Sequence, residues 1–383
     1  MEKGCSYAVI DEEKYYSGGN YILVKDCLKS LQGLAHFHRQ HLKIPFIAIT
    51  GSNGKTTTKE LIKAVLAAKY KTLATEGNLN NHIGVPLTLL SIANDIEIAV
   101  IEMGANHIGE IAMLCEIALP DYGLITNIGR AHIGEFGSFE NIVKAKTELY
   151  DFIRNRKGKV YVNTENDLLI ENAGDIEKIS YGSSDENFSK CEFIEADPAL
   201  KVKFENEIIV FNLVGKYNFE NVSAAICIGK YFGISAEQIK KAIEAYTSSN
   251  NRSQIIRTNK NTLIMDAYNA NPSSMQAAIE NFSEMKGENK WLILGDMLEL
   301  GKYEIEEHKN MLGLVKEKKF QNVILTGEKF SKAGSEIKNN YLFFKSSDEL
   351  AGRLKTNSPI GNNSLILIKG SRGMKLEKLV EFL

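Results

Sequence analysis

The most constraining feature of the sequence is the glycine-bearing string Thr50–Thr58, which stands between an apolar run and a helical pattern. The run Pro45–Ile49 predicts a strand, and Lys59–Lys69 predicts a helix. In a strand–turn–helix unit of this kind, backbone N–H groups at the turn and at the helix N-terminus face bound phosphates. Lys55 can then reach the β- and γ-phosphate oxygens, and the Thr56 hydroxyl can bind Mg²⁺. The string therefore predicts a nucleotide triphosphate site.

The match to the usual P-loop pattern is incomplete. That pattern, GxxxxGK[ST], requires glycine at position 49, where the chain has Ile49. The alternative interpretation is an ordinary glycine turn that begins a helix. The flanking strand and helix favour the nucleotide site, and we assign to it Gly51, Ser52, Asn53, Gly54, Lys55, Thr56 and Thr57.

From residue 45 onward, strand and helix patterns alternate, which predicts an α/β fold with mostly parallel sheets and helices on their faces. The first predicted strands are Phe46–Thr50, Ile96–Met103, Tyr122–Asn127 and Lys159–Asn163. The predicted helices are Lys55–Lys69, Ile108–Ala118, Ser138–Asn155, Asn218–Phe232 and Ser235–Tyr246. Short alternating runs in residues 178–213 predict an antiparallel flank to this sheet.

A polar string, Thr247–Arg252, is the best linker in the chain. Beyond it the alternation restarts, with predicted strands Leu263–Asp266, Trp291–Gly295, Val323–Thr326 and Leu365–Lys369. We therefore expect a P-loop-type central domain at 45–250 and a Rossmann-like α/β domain at 251–383. Residues 1–44 predict only strands Tyr7–Ile10 and Tyr21–Val24 and a helix at Lys25–Gln40, which is too little for an independent domain.

Composition excludes several classes of protein. A net charge of −2 gives no reason to expect nucleic acid or an acidic membrane surface as a partner. Five cysteines without a CxxC pair are typical of a reducing cytosol and argue against a zinc site. No apolar run is long enough to cross a bilayer, and Met1–Val9 lacks the apolar core of a secretory signal. We expect a soluble, cytoplasmic and monomeric protein.

Candidate chemical groups cluster after the predicted strands, where ligands of α/β sheets bind. Glu102 ends an apolar strand, and a carboxylate there can hold the Mg²⁺ of a nucleotide, although it can also cap a helix. His132 follows the next strand and is either a structural histidine or a neighbour of the metal. Lys146, judged by composition, is a solvated lysine on an amphipathic helix.

Amides and cations mark the remaining candidates. The string Gly77–Pro86 offers several hydrogen-bond donors to an anionic substrate. Asn218 and Asn221 begin a helix, where one can be the N-cap and the other stays available. Arg252 and Asp266 border the linker, where two domains could close on a phosphate and a ribose.

Taken together, these strings resemble the Mur ligases, the ATP-dependent amide ligases of peptidoglycan assembly. The family form of the loop, T-G-x-N-G-K-T-T, accounts for the residue at position 49. The matching strings occur in family order and lie at 50–57, 77–86, 102–110, 145–148, 218–221, 266–275, 294–301 and 369–374. The last three are typical of the branch that adds D-alanyl-D-alanine.

The resemblance implies ATP and two Mg²⁺ ions as cofactors. Lys55 would bind the ATP phosphates, Arg252 would contact the γ-phosphate, and Asp266 would contact the ribose. Asn218 and Asn221 would flank adenine. The implied metal ligands are Thr56, Glu102, His132 and Lys146, the last after carbamoylation to an anion. The implied substrate-binding residues are Asn80, Asn81, Asn269, Asn271, Lys369, Ser371 and Arg372.

The implied reaction begins when ATP phosphorylates the terminal carboxylate of UDP-N-acetylmuramoyl-tripeptide. The amine of D-alanyl-D-alanine then attacks the acyl phosphate. The family opens with a domain that holds the uridine diphosphate, and residues 1–44 look like the closing part of that domain. Two alternatives stay open: another ligase with a different acceptor, such as a folylpolyglutamate synthase-like enzyme, and a non-catalytic nucleotide-binding relative.

Overall fold

The computed structural model describes residues 4–197, 199–248, 251–335 and 340–383. Residues 249 and 250 of the predicted linker lie outside these ranges. The predicted linker and the predicted domain boundary between residues 250 and 251 therefore stay predictions. Across the described ranges, each helix is too short or too polar to cross a bilayer.

A parallel sheet, the first sheet, carries the P-loop. Its strands lie in the spatial order Thr72–Ala74, Ile98–Glu102, Phe46–Thr50, Tyr122–Ile125, Lys159–Asn163, Glu177–Gly182 and Ser189–Lys190. Every neighbouring pair in this order is parallel. The strand Phe46–Thr50 is central and buried along its whole length, so the loop that follows it opens from the middle of the sheet.

Helices cover both faces of the first sheet, as expected for a parallel sheet. They span Lys55–Leu66, Gly84–Leu90, Glu110–Ala118, Ile133–Phe136, Phe139–Asn155, Asp167–Ala173, Asn218–Tyr231 and Ala236–Ala245. Ile47 and Ile49 point into one apolar core and Ala48 into another, because successive strand residues face opposite sides. The α/β class predicted from the alternation is confirmed.

A second sheet spans residues 192–369. Its strands lie in the order Glu192–Ala196, Ala199–Phe204, Glu207–Val214, Gln254–Arg257, Thr262–Asp266, Leu365–Lys369, Lys290–Gly295, Asn322–Thr326 and Leu342–Phe344. Pairing is antiparallel up to Thr262–Asp266 and parallel beyond it. Its helices span Pro272–Glu284, Glu304–Glu317, Glu328–Gly334 and Ser347–Asn357, with 3₁₀ turns at Gly301–Tyr303, Arg372–Met374 and Leu376–Phe382.

The antiparallel flank predicted for residues 178–213 exists only in part, because Glu177–Gly182 and Ser189–Lys190 extend the first sheet in parallel. Its predicted partner is also wrong. The three strands within 192–214, which we call the bridging strands, pair with the second sheet through Leu213 and Gln254 and not with the first. Their apolar side chains, such as Phe211, nevertheless pack in the same core as Ile47 of the first sheet. Alternation in a sequence predicts a strand and its buried face, but it carries no information about the edge that pairs.

The N-terminal residues lean on the first sheet. Strands Ala8–Ile10 and Tyr21–Leu23 pair in parallel, with a 3₁₀ turn at Glu13–Tyr15, and the helix Cys27–His41 follows. From that helix, Arg39 is buried, donates to the carbonyls of Ala118 and Leu119, and lies 3.7 Å from the Phe46 ring centre. These contacts explain how a segment too small to fold alone is held.

Candidate active site

Two glycines give the P-loop its shape. Gly51 and Gly54 have φ of 143° and 79°, which side chains rarely allow. A Cβ at Gly51 would lie 2.0 Å from Oγ1 of Thr126, and one at Gly54 would lie 2.4 Å from Oδ1 of Asn221. Neighbouring elements therefore approach the loop backbone closely, and glycine is required at both positions.

Lys55 begins the helix Lys55–Leu66, which we call the P-loop helix. Its Nζ donates to the carbonyl of Gly51 at 2.6 Å and to that of Ser52 at 3.3 Å, so the ammonium lies against the backbone of the loop. Burial lowers the pKa of Lys55, and the charge of Arg252 lowers it further, whereas Glu102 opposes the shift. A phosphate in the loop would add the negative charge that this position lacks.

Glu102 lies at the end of the strand Ile98–Glu102 and is buried. Its Oε1 accepts hydrogen bonds from Nδ2 of Asn80 at 2.8 Å and from the hydroxyl of Thr56 at 3.2 Å. Its Oε2 is buried without a hydrogen-bond partner, although Nζ of Lys59 lies 3.6 Å away. An orphaned buried carboxylate oxygen beside a threonine hydroxyl fits a hard divalent cation such as Mg²⁺.

Lys146 is not the solvated lysine that its composition suggests. The side chain is 2% exposed on the helix Phe139–Asn155, and its Nζ donates to the carbonyl of Ala105 at 3.3 Å. Burial, followed by the nearby charge of Lys55, lowers the pKa of Lys146 to about 7. A large part of this amine is therefore neutral near pH 7, and neutral amines are nucleophiles.

His132 faces a carboxylate in the loop that follows the strand Lys290–Gly295 of the second sheet. Its Nδ1 lies 2.7 Å from Oε2 of Glu299, and this contact lowers the pKa of Glu299. Close by, Arg130 pairs with the buried carboxylate of Glu307 at 3.0 Å. The segment around His132 thus holds the two halves of the molecule together, and its metal role stays a prediction.

Asn218 and Asn221 are both buried and bonded to protein groups. Nδ2 of Asn218 donates to the carbonyl of Val214, and Nδ2 of Asn221 donates to Oδ1 of Asn218. Oδ1 of Asn221 accepts from Thr58 on the P-loop helix. The prediction that one asparagine is the N-cap is wrong, because Tyr217 occupies that position without a capping side chain. The amides instead fasten the helix Asn218–Tyr231 to the P-loop.

Asp266 and Lys369 end two neighbouring parallel strands of the second sheet and form an ion pair at 2.5 Å. Lys369 is 2% exposed, so the carboxylate satisfies a buried cation and is held firmly in place. Arg252 stacks on the ring of Tyr268 at 3.7 Å, and its Nε is buried without a partner. This unused donor is available to an anion.

The N-terminus of the helix Pro272–Glu284 points at the P-loop. Asn271 caps this helix, and its Nδ2 donates to Oδ1 of Asn53 at 2.8 Å. Nδ2 of Asn53 in turn donates to the hydroxyl of Ser273 at 3.3 Å. The amide of Asn271 and the hydroxyl of Ser273, both at the start of this helix, therefore contact the P-loop directly.

These groups meet in one cavity of about 570 Å³. The sequence-predicted residues that line it are Ser52, Asn53, Gly54, Lys55, Thr56, Thr57, Asn80, Asn81, Glu102, His132, Asn218, Asn221, Arg252, Asp266, Asn269, Asn271 and Lys369. Four predicted residues lie outside the lining: Gly51, Lys146, Ser371 and Arg372.

The residues outside the lining have other contacts. Ser371 is buried, and its hydroxyl accepts from the backbone N–H of Leu298 at 2.9 Å. Arg372 is exposed and donates to the hydroxyl of Tyr268 at 3.3 Å. Lys146 lies behind the carbonyl of Ala105, which itself lines the cavity. A direct substrate contact is therefore least supported for Ser371.

Sequence reasoning missed two contributors. Nζ of Lys59 lies 3.6 Å from Oε2 of Glu102, and the only signal in the sequence was a lysine one turn after Lys55. Tyr268 lies in the cavity wall between Arg252 and Arg372, where an aromatic ring can order two guanidinium groups. Its position beside Asp266 at a strand end could have suggested it.

Known proteins give a consistent comparison. The Mur ligase middle domain matches residues 49–229, and the Mur ligase glutamate ligase domain matches residues 251–372. The UDP-N-acetylmuramoyl-tripeptide–D-alanyl-D-alanine ligase of Bacillus subtilis is 38% identical over 374 residues, which cover 94% of this chain and 80% of that protein.

Solved structures agree with this comparison. MurF from Acinetobacter baumannii is 31% identical with a TM-score of 0.87, covering 99% of this chain and 85% of that one. MurF from Thermotoga maritima, solved in complex with ADP, has the same fold with a TM-score of 0.87 at 23% identity, covering 100% of this chain and 88% of that one. The chain therefore belongs to the Mur ligase family.

Proposed function

We propose that this chain is an ATP-dependent amide ligase that joins D-alanyl-D-alanine to UDP-N-acetylmuramoyl-tripeptide in peptidoglycan synthesis. The observation that carries the proposal is a single cavity lined by Lys55, Glu102 and Arg252 together with Asp266 and Lys369 of the second sheet. A ligase must bring a nucleotide, a carboxylate and an amine to one place. This cavity has the phosphate-binding groups of the P-loop on one side and, opposite, the residues of the second sheet and of the helix Pro272–Glu284, which we call the acceptor side. The curated relative of Bacillus subtilis bears the name of this reaction.

In the first step, a carboxylate oxygen of the tripeptide attacks the γ-phosphorus and ADP leaves. Both reactants are anions, so the attack needs positive charge at the phosphate. Lys55 and the loop N–H groups supply it at the β- and γ-phosphates, and the unpaired Nε of Arg252 supplies another donor. Asp266, held by Lys369, is fixed to accept hydrogen bonds from the ribose.

Magnesium, when bound, would neutralise phosphate charge and orient the transferring group. Thr56 and Glu102 would hold it, with His132 beside them, because Oε2 of Glu102 is buried without a hydrogen-bond partner and is open to a further ligand. Lys146, with its depressed pKa, would add a carboxylate after reacting with CO₂, since the neutral amine is the form that reacts. Carbamoylation and the second metal ion are parts of the proposal.

In the second step, the amine of D-alanyl-D-alanine attacks the acyl carbon, phosphate leaves, and the nitrogen loses a proton. The helix Pro272–Glu284 and its cap Asn271 bring the acceptor side against the P-loop residue Asn53. This contact shields the acyl phosphate from water, which would otherwise hydrolyse it.

The domain division at residue 250, a monomeric state and a cytoplasmic location also belong to the proposal. The five cysteines form no disulfide, in keeping with a reducing compartment.

Phosphate release tests the proposal. We expect release with ATP and UDP-N-acetylmuramoyl-tripeptide only when D-alanyl-D-alanine is also present, and a product heavier by the dipeptide in mass spectrometry. Release driven by a folate and glutamate would refute it in favour of the other ligase class. Nucleotide binding without turnover on any acceptor would favour the non-catalytic relative.

A further inference from the structure

Lys59, on the P-loop helix, forms a buried ion pair with Glu102. Its Nζ lies 3.6 Å from Oε2 of Glu102, and both side chains are at most 2% exposed. Among the described residues, it is the one cation in ion-pair contact with this carboxylate. Lys59 is therefore the electrostatic partner of the group that the proposed function assigns to the metal.

The pair is close enough to neutralise charge but too long for a hydrogen bond. The hydrogen bond of the ammonium goes instead to the carbonyl of Gly77 at 3.1 Å. Oε2 of Glu102 consequently keeps its lone pairs free, while Oε1 is held by Asn80 and Thr56. Glu102 is thus both charge-compensated and open to another ligand on one oxygen.

Gly77 and Asn80 belong to the same loop, residues 77–80, which precedes the helix Gly84–Leu90. Lys59 holds this loop at Gly77, and Glu102 holds it at Asn80. One ion pair therefore fixes the loop and the carboxylate relative to the P-loop helix.

We propose that Lys59 is a positioning residue that acts as the resident counter-charge of Glu102 and opposes metal binding until a nucleotide arrives. The inference rests on the proposed metal role of Glu102. A divalent cation on Oε2 would lie beside the buried ammonium, and the two positive charges would repel each other. The triphosphate brings enough negative charge to outweigh that repulsion, so metal and nucleotide enter together.

Manganese titration without nucleotide tests this inference. Mn²⁺ takes the same oxygen ligands as Mg²⁺, and its free ion is read by electron paramagnetic resonance. Lys59→Gln removes the charge and keeps a donor for Gly77. We expect it to lower the half-saturating Mn²⁺ concentration by about tenfold or more, the usual effect of a like charge at this distance. Lys63→Gln, an exposed lysine on the next turn, is the matched control and should bind as wild type does.

A second titration includes a non-hydrolysable ATP analogue. The difference between Lys59→Gln and wild type should then shrink to about threefold or less, because the phosphates dominate the field at the metal. A purely structural role for Lys59 would not give a change that depends on the nucleotide in this way.

Equal Mn²⁺ half-saturation for wild type and Lys59→Gln would overturn the inference, provided Glu102→Gln weakens binding. If Glu102→Gln binds Mn²⁺ as wild type does, the metal assignment of the proposed function fails instead. Should Lys59→Gln not fold, the double variant Lys59→Gln/Glu102→Gln removes both charges and should recover the thermal unfolding midpoint. A double variant no more stable than the single one would overturn the pairing.

Discussion

Substituting Lys146 by methionine should stabilise the fold in CO₂-free buffer while it removes turnover. Methionine fills a similar volume without a charge, so the comparison isolates the cost of burying the ammonium. The lysine is 2% exposed, and burial together with the charge of Lys55 lowers its pKa from 10.5 to about 7. Burying such a functional group lowers the stability of the fold, a cost that enzymes commonly carry for activity.

The magnitude follows from the two pKa values of Lys146. Folding releases a proton wherever the folded pKa lies below the unfolded one, so wild-type stability rises with pH between these values. At pH 6 the amine of Lys146 is protonated in both the folded and the unfolded state, and burying it costs about 5 kcal/mol of folding free energy. At pH 9 the amine is neutral in the folded state but still protonated in the unfolded state, and the cost falls to about 2 kcal/mol.

Denaturant unfolding at pH 6, 7, 8 and 9 in CO₂-stripped buffer measures the effect. The stability advantage of Lys146→Met should be greatest at pH 6 and shrink steadily towards pH 9. Lys144→Met, an exposed lysine on the same helix, should follow wild type at every pH. An advantage that does not change with pH, or a variant less stable than wild type at pH 6, would refute the reasoning.

Three further substitutions test the site. Gly54→Ala should abolish binding of an ATP analogue in calorimetry, because φ is 79° and the new Cβ would lie 2.4 Å from Asn221; wild-type affinity would contradict this. Lys369→Met should lower the free energy of unfolding by about 3–5 kcal/mol because it leaves the carboxylate of Asp266 unpaired. The double variant Lys369→Met/Asp266→Asn should regain most of that stability, and a double variant as unstable as the single one would count against the pairing. Lys55→Ala should abolish turnover with MgATP and change the thermal unfolding midpoint little; retained activity would reduce the loop to a helix cap.

Local chemistry made much of the site predictable. The phosphate loop depends on residues adjacent in sequence, so the amino-acid order alone places the strand, the glycines and Lys55 together. The strand Phe46–Thr50 was predicted with the bounds that it has in the fold, since a continuous apolar run flanked by glycine has few alternatives. The place of Glu102 in the cavity wall could be predicted because a lone carboxylate at the end of an apolar strand stands out in the sequence, whereas its metal role stays a prediction.

Contacts between distant residues could not be predicted. The burial of Lys146 depends on what packs above its helix, and amphipathic spacing alone assigned it to solvent. The bonds of Asn221 to Thr58 and Asn218 arise only when the helix Asn218–Tyr231 packs on the P-loop helix. Capping preferences describe an isolated helix end, and tertiary contact overrode them here.

The bridging strands change what kind of hinge the molecule can have. Their sheet is joined to Gln254–Arg257 by a single registered pair, Leu213 and Gln254, and their side chains are committed to the core around Ile47. Besides the polypeptide itself, which crosses between the halves only after the helix Ala236–Ala245, a continuous sheet joins the two halves through this one residue pair. A rotation of the half that contains residues 254–383 relative to the first sheet would have to distort this residue pair, so we expect it to be more restricted than rotation about a linker alone. Separating the two halves would leave one of the bridging strands, Glu207–Val214, without its partner strand Gln254–Arg257, so we expect the two halves to be more stable as one chain.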